Sequence, residues 1–349
     1  MDSPATLDET VTMMKTRLKG VMPEFEIELK AECAFKVNTL KQELNAVILG
    51  HNYMEPALYH SVPDYVGDSL QLSAISAKTN ADVIVFCGVW FMGETAKVLN
   101  PSRTVLVPSD HAGCSLAAGI TADDVRALRQ QYPGAVVVSY VNTYADVKVE
   151  SDYCCTSGNA DKVLKHLVER GHKRIIFLPD EYLARNTSAG LGLPFLLAGR
   201  DDDTLPKDQP AVIGWDVRCE VHELFTVDDV RNVRRQWPDA VILAHPECSP
   251  EVIAEVDIAG STKAMVDYVQ DVDAPRYALF TECSMGDNLA AQFPNREMIR
   301  SCSLRCQHMN QITLEDTLEA LEKLQYRVEL SDDVIEQAKL PIDRMIAIQ

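Results

Sequence analysis

The sequence is short of positive charge and of long apolar runs. Lys and Arg number 33 against 52 Asp and Glu, a formal net charge of −19, and the pI is about 4.8. A protein that binds a phosphate backbone needs a basic face, so nucleic acid and anionic membrane surfaces are poor partners for this chain. Small anionic substrates stay open, because local amides and side chains override net charge. No apolar run approaches the ~20 residues that span a bilayer. The first residues, MDSPATLDETVTMMKTRLKG, lack a basic region followed by an apolar stretch, so no secretory signal is expected. Neither GxGxxG nor GxxxxGK[ST] occurs, which leaves nucleotide binding without local support. The expectation is a reducing, cytoplasmic setting. There, ten cysteines point to metal binding or catalysis before a disulfide framework.

What is present is a repeat. Residues 120–139, ITADDVRALRQQYPGAVVVS, match residues 225–244, FTVDDVRNVRRQWPDAVILA, at a constant offset of 105. Thr121 and Thr226 read as helix N-caps, with Asp in the first turn beside the positive dipole end. Ile120 and Phe225 sit where a hydrophobic staple would. Each helix stops before Pro133 or Pro238. The apolar run that follows reads as a buried parallel strand. A third cap is Thr313, and a third strand is Asn45–Gly50.

Five residues into each strand come His51, Tyr140 and His245, each opening a polar turn. Hydroxyl clusters follow at Gly67-Asp68-Ser69, Thr156-Ser157-Gly158 and Gly260-Ser261-Thr262. A second apolar strand follows each cluster: ADVIVF, KRIIFL and RYALF. The pattern predicts an α/β protein of three similar αβα units with parallel sheets. In such sheets ligands bind beyond the carboxyl ends of the strands. Three equivalent polar strand ends therefore predict one shared site at a pseudo-threefold centre.

The expected organisation is a helical extension over 1–40, then units at 41–120, 121–209 and 210–325. Residues 326–349 supply a short strand, YRVEL, and a closing amphipathic helix that joins the first unit. The stretch 199–210, rich in Asp and Pro, reads as an exposed loop of the second unit.

Cys114, Cys219 and Cys306 each lie seven residues before a helix cap. Three thiols converging on one axis suit a metal or a cluster. Zinc usually takes its cysteines in local C-x2–4-C pairs, and these three are far apart in sequence. A [4Fe–4S] cluster on three thiolates keeps one iron open, and that iron can act as a Lewis acid. Cys33, Cys87, Cys154, Cys155, Cys248 and Cys283 read as small buried hydrophobes. Cys302, four residues before Cys306, is a fourth ligand, a redox partner or neither.

Around these thiols the strand ends offer acid–base groups. Glu247 is a candidate general base, and His51, His222, His245, Tyr53 and Tyr140 can donate or shuttle protons. Ser69, Ser157, Ser261 and Thr262, at helix starts, suit carboxylate or phosphate. Asn142 can bind a carboxylate or carbonyl oxygen. Phe91–Lys97 either lines the site, with Lys97 on an anion, or is a helix start with an outward lysine. His60, His111, His166 and His172 read as structural.

Taken together, these blocks resemble the quinolinate synthases of NAD biosynthesis. The resemblance covers residue 40 to the end. It rests on His51-Asn52-Tyr53, Gly67-Asp68-Ser69-Leu70, Phe91-Met92-Gly93-Glu94-Thr95-Ala96-Lys97, Gly113-Cys114-Ser115 and Tyr140-Val141-Asn142-Thr143. It continues in Cys155–Ala160, Cys219-Glu220-Val221-His222, His245-Pro246-Glu247, Gly260-Ser261-Thr262 and Cys306-Gln307-His308-Met309. It implies three αβα domains around a [4Fe–4S] cluster on Cys114, Cys219 and Cys306. It implies condensation of iminoaspartate with dihydroxyacetone phosphate to quinolinate, phosphate and two waters, with L-aspartate oxidase as the functional partner. His51, Ser69, Tyr140, Asn142, Ser157, His245 and Thr262 would bind substrate. Tyr53, Glu247 and His222 would carry the acid–base chemistry.

There are departures. Arg218 stands before Cys219 where some relatives have Gly. Only Cys302 and Cys306 occur where some carry C-x-x-C-x-x-C, and Cys154-Cys155 and Thr281–Met285 receive no role. Two alternatives compete: another cluster-dependent hydro-lyase on a small carboxylate, and a non-catalytic zinc-stabilised protein.

Overall fold

The structure is a computed structural model that describes residues 4–200, 206, 208–299 and 304–348. Each apolar run becomes an inner strand of its own parallel sheet. In the first sheet β1 (Ala46–His51) lies between β2 (Tyr65–Gly67) and β3 (Val83–Cys87), with β4 (Thr104–Leu106) beyond β3. The second has β5 (Val136–Tyr140), β6 (Tyr153–Cys155), β7 (Arg174–Leu178), β8 (Phe195–Leu197) and β9 (Ala211–Gly214), in the order β6-β5-β7-β9-β8. The third has β10 (Ala240–Ala244), β11 (Ile258–Ala259), β12 (Arg276–Phe280) and β13 (Glu297–Ile299), in the order β11-β10-β12-β13. Every pairing is parallel, and the inner strands are almost wholly buried, as sheets covered on both faces must be.

The repeat is physical as well as lexical. Thr121, Thr226 and Thr313 each close a capping box with the Asp three residues on, at Asp124, Asp229 and Asp316. A second threefold device lies just before each second strand. Asp64, Asp152 and Asp257 accept the backbone N–H of Ile48, Val137 and Ile242 at 2.8–2.9 Å. Each is also paired with a cation from the preceding helix: Lys41, Arg129 and Arg234. This pins the central strand, its neighbour and the covering helix together in every unit.

Four expectations need correction. β9 falls within the stretch assigned to a third unit at 210–325, yet it pairs with β7 and β8 of the second sheet. The chain thus returns to the same sheet after residues 198–210, of which 201–205 and 207 lie outside the described residues, and apolar patterning alone does not reveal this. The helix Leu314–Lys323 carries the third cap but packs on helix Glu24–Glu43 and on β3 of the first sheet. YRVEL forms only an isolated antiparallel bridge between Arg327 and Leu106, and the helix Asp332–Ala347 then packs on β6 as well as on the first unit. Cys283 is disulfide-bonded and so is not a free buried thiol. Cys302 lies outside the described residues. Among them, no helix is long and apolar enough to cross a membrane.

Candidate active site

The carboxyl ends of the three central strands open on one cavity of about 70 Å³. Helix starts from all three sheets meet beside it. Asp68 caps the helix Ser69–Ser76, Ser261 caps Thr262–Asp271, and Thr156 and Ser157 precede Ala160–Glu169. Asp68 bonds Ser261 across two units. A Cβ on Gly158 would sit 3.5 Å from Ser261 Oγ and 3.6 Å from Asp68 Oδ2. These amide-rich helix ends, with Ser69, Ser157 and Thr262 on the wall, suit anionic groups.

All thirteen candidate residues line this cavity: Cys114, Cys219 and Cys306; Tyr53, His222 and Glu247; His51, Ser69, Tyr140, Asn142, Ser157, His245 and Thr262. Lys97 does not. Its Nζ donates to the carbonyls of Pro101 and Arg103 and holds a loop away from the site. Asn142 Oδ1 is buried without a hydrogen-bond partner among the described residues, an acceptor left for a ligand.

The acid–base groups form a directed chain. Glu247, fully buried, accepts from Tyr140 and from His222 Nδ1 at 2.6 Å. Burial alone would raise its pKa, but the neighbouring histidines and these two bonds override burial and hold the carboxyl below its ordinary range. A carboxylate only accepts, so His222 Nδ1 carries the proton. With the proton on Nδ1, Nε2 accepts from Thr281 Oγ1, 3.0 Å away. The Thr281 hydroxyl in turn accepts from Tyr53. The order Tyr53, Thr281, His222, Glu247 is thus fixed by the charge at its end.

His51 and His245 are poised as donors. Their Nδ1 atoms accept the backbone N–H of Tyr53 and Glu247. Burial lowers His51 to about 4 and His245 to about 3, so both are neutral near pH 7. Their protons therefore sit on Nε2, and that of His245 faces Ser157 Oγ at 3.2 Å. Burial pushes the Tyr53 and Tyr140 phenols well above their usual range, so both stay protonated until a base draws on them.

Each of the three cysteines faces two backbone amides in the same way. Leu116 and Ala117 N–H address Cys114, Val221 and His222 N–H address Cys219, and His308 and Met309 N–H address Cys306. The donors are always two and three residues on, which is what equal offset from three helix caps produces. Burial raises the Cys114 thiol to about 12, Cys306 to about 11, and Cys219 well above its ordinary value.

The sequence between residues 35 and 347 matches the family described as quinolinate synthetase A protein, NadA. The chain belongs to that family. Quinolinate synthase 2 of Mesorhizobium japonicum is 46% identical over 344 residues, 99% of this chain and 100% of that protein. Quinolinate synthase of Xylella fastidiosa is 48% identical over 309 residues, 88% of this chain and 85% of that protein. Quinolinate synthase of Agrobacterium fabrum is 44% identical over 346 residues, 99% of this chain and 94% of that protein.

Two donor sets in this NadA-family chain are candidates for a metal. Cys219, His222 and Glu247 offer atoms within 4.8 Å of one another. Yet both His222 nitrogens already hold partners, Glu247 and Thr281, and ligation there would break the chain. The three thiols face one cavity and have N–H groups aimed at sulfur. That environment fits a thiolate-bound centre whose positive charge drives deprotonation. Among the described residues no other cysteine lines the cavity.

Sequence reasoning missed Thr281, Asp180 and Glu282. Asp180 and Glu282 stand two residues after β7 and β12, at equivalent positions of two units. The repeat that located the cysteines would have located them too. For Thr281 the sequence holds no signal, because its role comes from two partners more than 50 residues away.

Proposed function

We propose that this chain is a quinolinate synthase, active in the cytoplasm, that condenses iminoaspartate with dihydroxyacetone phosphate. The products are quinolinate, inorganic phosphate and two waters. Iminoaspartate would come from L-aspartate oxidase. Cys114, Cys219 and Cys306 would hold a [4Fe–4S] cluster. When bound, such a cluster, with one iron lacking a protein ligand, supplies a Lewis acid for a carboxylate, hydroxyl or carbonyl oxygen.

One observation carries this reading: residues from all three units, chosen on sequence grounds, line a single cavity, and three of them form a directed proton chain with Thr281. The protein groups divide the work. Ser69, Ser157 and Thr262, with the helix-start amides, receive carboxylate and phosphate oxygens. His51 and His245 donate from Nε2 to anionic oxygens without carrying charge. Asn142 accepts a hydrogen bond at Oδ1 and offers Nδ2. Glu247 accepts a proton from a carbon acid or an imine nitrogen. Tyr53 passes its proton through the Thr281 hydroxyl to His222 Nε2, whose Nδ1 stays paired with Glu247, and the phenol oxygen so bared takes a proton from the substrate. Val89, Phe91, Met92 and Met309 give the cavity lining an apolar part that limits water.

The test is iron and acid-labile sulfide per chain after anaerobic purification, followed by product analysis. About four of each per chain, with a pyridine dicarboxylate formed from the two substrates, supports the reading. A cluster without that product favours a different hydro-lyase. Stoichiometric zinc without iron or sulfide, after careful reconstitution, overturns the cluster.

A further inference from the structure

The cysteine loops are strapped to the rest of the protein by a third threefold device, and it is built differently in one unit. In every unit the chain runs from the second central strand into a helix start, and the cysteine loop comes back to that point. The N–H of Trp90 donates to Ala112 O at 2.7 Å, that of Glu181 to Val217 O at 2.8 Å, and that of Cys283 to Leu304 O at 3.2 Å. Each acceptor lies two residues before a cluster cysteine. The residue before each donor therefore sits against the cysteine itself. It is Asp180 in the second unit, Glu282 in the third, and Val89 in the first.

The two carboxylates use that position. Asp180 Oδ2 accepts the backbone N–H of Cys219 at 3.2 Å, while Oδ1 accepts Leu183 N–H at 2.6 Å. Glu282 accepts the N–H of Cys306, and its Oε2 accepts Ser284 N–H at 2.7 Å. Both residues are almost wholly buried, where an acid group is tolerated only if its oxygens are satisfied. The arginine before each of these cysteines repeats the tie. Arg218 pairs with Glu181 beside Asp180, and Arg305 donates to Ser284 Oγ and pairs with Asp287. In the first unit Gly113 stands in place of the arginine, and the Cys114 N–H goes to the Tyr144 hydroxyl. Two loops are thus tied by buried carboxylates and one by a phenol.

We propose that Asp180 and Glu282 are positioning residues for the metal centre, fixing the main chain of Cys219 and Cys306 so that both thiolates are presented to it. The proposal rests on the three-cysteine reading above. A ligand whose backbone is held before the metal arrives loses less freedom on binding. Groups that orient ligands in this way are worth about 10–100-fold in metal retention. The acceptor oxygen is what matters, so an amide at either position preserves part of the effect and alanine none.

The experiment uses anaerobically purified holoenzyme and reads the rate of metal release to EDTA, with far-UV circular dichroism as the control for folding. The spectrum of the reduced centre by electron paramagnetic resonance is recorded on each variant. Asp180→Ala and Glu282→Ala are expected to release metal about 10–100-fold faster than wild type. Asp180→Asn and Glu282→Gln are expected to fall between alanine and wild type. The resonance line shape should change in the alanine variants, which a remote loss of stability would not produce. Should Asp180→Ala fail to fold, the Glu282 pair decides. Release at the wild-type rate from folded Glu282→Ala overturns the proposal, as does an amide variant no better than alanine. Metal that survives Cys219→Ala overturns the ligand reading itself, and so distinguishes that failure from this one.

Discussion

Replacing Thr281 by valine tests the proton chain with the least disturbance of shape. The change exchanges one hydroxyl for a methyl of similar volume in a residue that is 1% exposed. It removes the hydroxyl that bonds both the Tyr53 hydroxyl and His222 Nε2. His222 keeps its bond to Glu247, and the cysteines and anion-binding hydroxyls are untouched. Two groups lose a partner, and an unsatisfied buried polar group costs about 1–3 kcal/mol. A positioned acid or base contributes about 10²–10⁴-fold to rate. Because only delivery of the Tyr53 proton is interrupted, kcat for quinolinate formation should fall about 100-fold with KM nearly unchanged. Thr281→Ser restores the oxygen and should restore most of the rate. The assay is steady-state quinolinate formation on protein matched for iron content. A kcat within threefold of wild type, with the cluster intact, would refute the relay.

Three further outcomes follow from the same geometry. Glu247→Gln should keep the iron–sulfur absorbance and lower turnover by about 10²–10⁴-fold; near-normal turnover removes Glu247 from the chemistry. Cys219→Ala should abolish the brown chromophore while circular dichroism shows a folded chain; an intact chromophore contradicts ligation by that thiol. The pH dependence has a definite sign. His51 and His245 have folded-state pKa values of about 4 and about 3 against an ordinary 6.5. Below pH 6.5 the unfolded chain takes up protons that the folded chain refuses, so stability present above that pH is lost as pH falls toward 4. Each such histidine contributes about 1.4 kcal/mol per pH unit in that window. Urea midpoints should therefore drop from pH 7 to pH 5, and less steeply in His245→Asn; equal slopes would contradict a neutral buried His245.

Much of this was legible because the chain says the same thing three times. The Thr121 and Thr226 caps, the strands behind them and the equal spacing of Cys114, Cys219 and Cys306 are local signals, each with a local physical cause. Local signals repeated at a fixed offset become a statement about space, because equivalent residues of equivalent units arrive at equivalent places around a common centre. That is why thirteen residues chosen from the sequence line one cavity. The strand β9 was misassigned for the opposite reason. Nothing in AVIG says which sheet it joins. Thr281 was missed because its partners come from other units.

The departures from threefold symmetry are where chemistry must enter. A site with three identical walls could bind three identical groups, but it could not order a proton transfer. The chain supplies the difference with few residues. Glu247 follows β10, and no carboxylate stands at the corresponding turn after β1 or β5, where the chain reads His51-Asn52-Tyr53 and Tyr140-Val141-Asn142. That single buried charge fixes the proton on His222 Nδ1, and through it the direction of the bonds to Thr281 and Tyr53. It also receives the Tyr140 hydroxyl. One asymmetric carboxylate thus gives polarity to groups contributed by all three units. Removing its charge in Glu247→Gln should consequently disturb more than one proton position: the Thr281 hydroxyl would no longer be constrained to donate toward His222. A Thr281→Val change made in the Glu247→Gln background should then cost far less than it does alone, and strict additivity of the two would show that they do not act through one chain.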